Sequence, residues 1–319
     1  MKYEALPKFL VLSLRKRTKS VISMGAALIV GMTMTACCTA APKTPEQPVK
    51  PVADEQPPPP PAPPKPSPTS KPSPAPKPSP TPKPPAPSKP TVRVAVFSGP
   101  GADYWGGLRH AKLASHIAGA KVFRINAKMV GEGMLDQTDV LVVPGGKATV
   151  MLRNMGADVR RRIAAFVRNG GGFIGTCAGC YVATGPIRGH RDRLGLIPFT
   201  SGAYGGGVDM PVEFTQEAQK LCGLKAKIQP IAFHGGPVLD RARPVKDTDV
   251  RVIAYYRPNF GPKSRFARMA NRPAIVAGRC GKGRVFASAV HPEKDPKDHY
   301  VLRAAYNYVL QRPLRWKRR

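Results

Sequence analysis

The run Gly172-Phe173-Ile174-Gly175-Thr176 is apolar at nearly every position and leads into Cys177-Ala178-Gly179, so a strand ends in the pattern Gly-x-Cys-x-Gly. Successive apolar residues suit a strand covered on both faces, the situation of a parallel sheet packed between helices. Glycines on either side of Cys177 permit a sharp turn out of that strand and into a helix. A second apolar stretch, residues 284–290, ends directly at His291-Pro292-Glu293. Any fold for this chain has to accommodate both strand ends.

The surrounding pattern agrees with that demand. Residues 92–97, 121–125 and 140–143 read as strands, the last closed by Pro144-Gly145-Gly146. Residues 108–118 and 157–168 carry helical spacing, and a short helix follows Cys177. Further strands are expected at 250–256, 274–277 and 284–290, with a closing helix over 297–311. Gly281-Lys282-Gly283 reads as a hairpin turn, because it lacks the spacing of a phosphate-binding loop. Between them, 185–249 is glycine-rich and less regular: 201–208 reads as a mobile loop and 233–237 as a turn. Strands alternating with helices predict an α/β three-layer sandwich with a mainly parallel sheet. Catalytic groups in such sheets gather at the carboxyl ends of the strands, where Gly145, Cys177 and His291 all fall.

Cysteine, histidine and a carboxylate on such turns form a nucleophile, a base and an orienting group. Cys177 at the positive end of a helix is favoured as the thiolate. His291 would move the proton, and Glu293, two residues on along an extended segment, would hold the far ring nitrogen. Backbone N–H groups of Gly146 and Ala178 are the natural oxyanion hole, since glycine admits close approach and Ala178 follows the nucleophile. The reaction expected is attack on an amide or related acyl carbon followed by hydrolysis of the thioester. A competing reading takes Cys177 and Cys180 as a C-x-x-C disulfide or redox pair. Cys222 and Cys280 either pair with each other or stay buried. His234 reads as a structural histidine or a substrate contact, and Tyr104-Trp105 as packing aromatics or pocket lining. No second ligand pair accompanies Cys177 and Cys180, so neither a metal nor a cofactor is expected.

Ahead of the domain, residues 1–36 read as a lipoprotein signal peptide. Arg15, Lys16, Arg17 and Lys19 precede a short apolar run ending in Met34-Thr35-Ala36-Cys37. Cys37 is the expected lipidation site, with plain cleavage near Ala40 or Ala41 as the alternative; either route exports the protein, and lipidation anchors it to the bacterial membrane. Residues 37–91 form a Pro/Lys/Ser-rich linker in which Lys65, Lys71, Lys77, Lys83 and Lys89 recur at a constant interval. Such a segment buries too little apolar area to fold, while polyproline II stiffness, at about 3.1 Å per residue, lets it reach on the order of 150 Å. The whole chain carries a formal net charge of +32. No nucleic-acid motif accompanies that charge, so DNA or RNA is not expected; the membrane is the expected partner, and the cationic linker reads either as a soluble spacer or as a contact for an anionic cell-envelope polymer. The oligomeric state is left open. Residues 92–319 are enough for one domain with a full core.

The motifs Val143-Pro144-Gly145-Gly146, Gly175-Thr176-Cys177-Ala178-Gly179 and Gly281-Lys282-Gly283-Arg284-Val285 leading to His291-Pro292-Glu293 resemble those of the class I glutamine amidotransferase-like superfamily. Cys180-Tyr181 and the later His234-Gly235-Gly236-Pro237 make the chain most similar to the amidotransferase-like domain at the N-terminus of biotin-protein ligases. That resemblance implies a flavodoxin-like sheet and a Cys-His-Glu triad in Cys177, His291 and Glu293, with Tyr181, His234 and Gly235 near the substrate. Glutamine-using members carry glutamine four residues after the nucleophile, where this chain has Tyr181. Biotin ligation is not implied, because the resemblance covers the amidotransferase-like part alone. Three functions remain open: a membrane-anchored thiol amidase, a catalytically silent binding module, and a thiol-redox protein using Cys177 and Cys180.

Overall fold

A computed structural model describes residues 91–185, 192–241 and 244–317, all within the unit Ser79–Arg319. The expected signal peptide, Cys37 and the linker through residue 90 lie outside the described residues.

Fifteen elements carry the fold. In chain order they are β1 (Arg93–Phe97), α1 (Tyr104–Ser115), β2 (Lys121–Ile125), α2 (Ala127–Gly131), β3 (Val140–Val143), α3 (Ala148–Arg168), β4 (Gly172–Thr176) and α4 (Ala178–Ala183). There follow β5 (Phe199–Phe214), α5 (Gln216–Cys222), β6 (Ile228–Arg241), β7 (Thr248–Tyr256), β8 (Pro273–Cys280), β9 (Gly283–Ser288) and α6 (His299–Val309). They build one nine-stranded sheet in the order β2-β1-β3-β4-β9-β8-β7-β5-β6.

Every residue of β3 and β4 is buried, so helices and loops cover both faces at the centre, as the unbroken apolar runs require. The α/β class holds, but the sheet is mixed. Strands β2, β1, β3, β4 and β9 pair in parallel, whereas β9, β8, β7, β5 and β6 pair antiparallel. Gly281-Lys282 forms the tight turn between β8 and β9 that reverses direction, with Gly281 at φ +59°.

The greatest departure from expectation lies in the glycine-rich middle. Residues 201–208 are part of β5 and 233–237 part of β6, and the two strands pair along almost their whole length. A register shift between Tyr204 and Gly207 marks a bulge there. Backbone hydrogen bonds hold the glycine-rich stretch 202–207 where apolar alternation is absent, which hides it from a reading of side chains, although Met210, Val212 and Phe214 alternate inward beyond it. Helix α3 begins earlier than its spacing suggests, because Gly156 at φ 65°, ψ 174° breaks it into two stretches. Among the described residues no helix is long and apolar enough to cross a membrane.

Candidate active site

The turn after β4 places Cys177 at φ 48°, ψ −106°, a conformation an L-residue adopts only under constraint. Its neighbours explain the glycines. A Cβ on Gly179 would lie 1.9 Å from the Val143 carbonyl oxygen, and one on Gly175 would lie 2.7 Å from the Gly179 backbone. Helix α4 can therefore leave the strand at once only if both positions lack side chains. The Cys177 N–H donates to the Ser288 carbonyl at 2.7 Å, which ties the turn to the end of β9.

From β9 the chain runs on to His291, whose N–H donates to Ala232 on β6 at 2.8 Å. Lys294 N–H donates to the His291 carbonyl at 3.1 Å, so residues 291–294 form a β-turn. That turn, rather than an extended segment, swings Glu293 back beneath the imidazole. His291 Nδ1 lies 2.6 Å from Glu293 Oε1, which aims the other ring nitrogen away from the acid. Burial disfavours the imidazolium, but the nearby Cys177 sulfur together with the hydrogen bond to Glu293 and its charge outweighs it, raising the His291 pKa to about 9. Burial likewise opposes the Glu293 charge and is outweighed by its hydrogen bond to His291, so the carboxyl titrates below its ordinary value. Gly145 leaves room for the ring: a Cβ there would sit 2.9 Å from His291 Cε1.

Gly146 and Ala178 both line a cavity beside Cys177. Gly146, at φ +129°, forms a bridge with Ala102 in which Lys147 and Asp103 are the donors, to Gly101 and Gly145. Its own N–H stays outside that pairing. Ala178 opens α4, and its N–H is one of the first-turn donors without an intrahelical acceptor.

Cys177 lies where two cavities meet. One, about 520 Å³, is lined by Asp103, Lys147, His234, His291 and Lys294. The other, about 320 Å³, is lined by Tyr181, Ala203, Tyr204 and Pro237. Gly146 and Gly235 border both. A larger cavity of about 1020 Å³ sits at the amino ends of β1, β3 and β4 and contains none of the candidate residues. His234 stands on β6, its ring edge-to-face with His291 at 5.8 Å. Burial, with Lys294 and His291 nearby, lowers its pKa. Tyr104 and Trp105 are exposed, at 52% and 66%, so the packing expectation fails and Tyr104 instead borders the larger of the two cavities beside Cys177.

Two features escaped the sequence. His110, on α1, is fully buried, with Nε2 3.0 Å from Thr176 Oγ1 and 3.9 Å from Glu293 Oε2. Burial lowers its pKa, so it stays neutral and the contact with Glu293 is polar rather than an ion pair. Arg193 stacks its guanidinium 3.7 Å from the Tyr181 ring centre and donates to Thr184 Oγ1 and Ser201 Oγ at 2.5 and 3.0 Å, bracing Tyr181 as a wall. A histidine in an amphipathic helix and an arginine in a loop carry no positional signal of their own.

The four described cysteines, Cys177, Cys180, Cys222 and Cys280, are all free. The disulfide expected as an alternative for Cys177 and Cys180 is not formed: Cys180 points into the core, and burial pushes its thiol well up. Among the described residues, no group of three or more His, Cys, Asp or Glu side chains is placed to hold a metal ion.

Comparison with known proteins agrees with the amidotransferase-like character of the domain. Residues 92–193 match the family described as Biotin-protein ligase, N terminal; the match takes in Cys177 and stops short of His291. The pyridoxal 5'-phosphate synthase subunit PdxT of Listeria monocytogenes is 38% identical over 85 residues, 26% of this chain and 43% of that protein. The biotin–protein ligase of Schizosaccharomyces pombe is 26% identical over 198 residues, 54% of this chain and 30% of the ligase. The PdxT subunit of Haloquadratum walsbyi is 28% identical over 168 residues, 51% of this chain and 69% of that protein. The chain thus spans less than half of the first two relatives.

Proposed function

We propose that this amidotransferase-like domain is a cysteine hydrolase of an amide or related acyl bond, working through Cys177, His291 and Glu293. The observation that carries this reading is the 2.6 Å contact of His291 Nδ1 with Glu293 Oε1, which fixes the ring while its other nitrogen is left for Cys177. The Cys177 sulfur attacks the acyl carbon, and the Gly146 and Ala178 N–H groups hold the developing oxyanion. His291 returns the thiol proton to the leaving amine as the C–N bond breaks. It then takes a proton from water, whose oxygen splits the thioester to an acid and a free thiol.

A binding module without catalysis is the second reading. It draws support from the Cys177 thiol, which donates to the Gly235 carbonyl at 3.2 Å. Alkylation of the full chain by iodoacetamide near pH 7 separates the two. Rapid labelling of Cys177 that falls by about a hundredfold in His291→Ala supports the hydrolase, and an inert Cys177 supports the silent module.

The residues ahead of the domain complete the proposal. Lipidation at Cys37 would anchor the exported protein in the cell envelope, and the linker would hold the domain off the membrane, near anionic polymer. Cell fractionation tests this: Cys37→Ala is expected to move the protein from the membrane to the soluble exported fraction, and unchanged membrane association would overturn the anchor.

A further inference from the structure

The two cavities that meet at Cys177 differ in charge. The smaller one, against Tyr181, Ala203, Tyr204 and Pro237, has no ionisable acid or base in its lining apart from its tyrosines and Cys177 itself. The larger one is lined by Lys147 and Lys294 as well as by Cys177 and His291. Among the described residues neither amine has an ion-pair partner. The cavity's one lining acid, Asp103, is already engaged, accepting from the Trp105 and Gly106 N–H groups at 3.2 and 3.0 Å as the cap of α1. Glu293 is spent on His291. Two lysines against one carboxylate therefore leave a net positive flank beside the sulfur, a charge that salt screens.

We infer that the substrate is an anionic amide whose carboxylate lies against Lys147 and Lys294, with its uncharged end along Tyr181 and Tyr204. The inference rests on the hydrolase reading above and gives it a substrate class. Free glutamine fits less well: its ammonium group would meet two lysines, with Asp103 as the one carboxylate lining either cavity, whereas an amide with a net negative charge meets a matching flank. Lys294 adjoins Glu293 in the turn that carries the acid, so substrate charge and catalytic geometry are set by one short segment.

Alkylation with a charged and a neutral reagent of nearly equal size reads the charge of this flank without needing turnover. Cys177 in the full chain is reacted with iodoacetate and with iodoacetamide, in the native sequence and in Lys147→Ala/Lys294→Ala. The ratio of the iodoacetate rate to the iodoacetamide rate is expected to drop five- to tenfold in the double variant, and to drop in the native chain as salt is raised. Because His291 is retained in both proteins, its own attraction for iodoacetate cancels in the comparison. A ratio unchanged by the two substitutions overturns the anionic substrate while leaving the hydrolase standing. A Cys177 that reacts with neither reagent overturns both.

Discussion

His110 Nε2 stands 3.9 Å from Glu293 Oε2, joining α1 to the turn that follows β9. The carboxylate thus has His291 on one oxygen and a neutral, fully buried imidazole near the other. His110 also reaches Oγ1 of Thr176, the residue just before Cys177. It is a positioning residue, touching neither cavity that borders the sulfur.

Replacing it by His110→Phe keeps the volume and removes the polar contacts. Without that polar contact to Oε2 the Glu293 carboxylate is less well held beneath the ring, so the His291 titration is expected to move down from about 9. Activity towards an amide should fall by about tenfold, less than in His291→Ala. Following the His291 ring by NMR across pH 6–10 checks this; a purely structural role would lower stability and leave that titration in place.

The raised pKa of His291 makes a stability statement. The folded chain keeps its proton up to about pH 9 while an unfolded histidine loses it near 6.5, so between those values the native state binds more protons. The stabilisation is complete below about pH 6.5 and is lost as pH rises through 9, on the order of 3 kcal/mol in all. Urea midpoints measured from pH 6 to 10 should fall across that window in the native sequence. The part of the fall due to this group should vanish in His291→Ala.

Gly179→Ala is expected to be severe, costing more than about 3 kcal/mol or preventing folding. The new methyl would lie 1.9 Å from the Val143 carbonyl oxygen, and backbone cannot yield as a side chain can. Gly202→Ala meets nothing within 4 Å and serves as the control. Thermal melts of the two, with midpoints close together, would contradict the close-approach account of the turn.

The cysteines should separate by reactivity. Cys180 is fully buried, so Cys180→Ser is expected to leave the labelling rate of Cys177 within about twofold. Cys222, whose thiol burial pushes up to about 12, should label slowly. Mass mapping after brief alkylation reads each site separately, and fast modification at Cys180 in the folded chain would revive a redox pair.

Much of this was legible before any coordinates. Apolar runs with no alternation marked β3 and β4 as central strands, and β2, β3 and β4 occupy the predicted positions residue for residue. Glycines flanking Cys177 marked a turn with no room for side chains. The hairpin of β5 and β6 was not legible, because its pairing is made by backbone groups and its glycines mimic a loop.

What the sequence determined by itself was therefore local: strand cores, turn chemistry, and the residue types able to act as nucleophile, base and acid. Only the tertiary structure decided that these types meet. The parallel pairing of β4 with β9 aligns Thr176 with Ser288, which delivers Cys177 and His291 to the same end of the sheet, and a turn of four residues then folds Glu293 under the ring. Neither the register between strands distant in sequence nor the burial that brings His110 to Glu293 is written in any short stretch of chain, since both arise from packing the whole sheet at once.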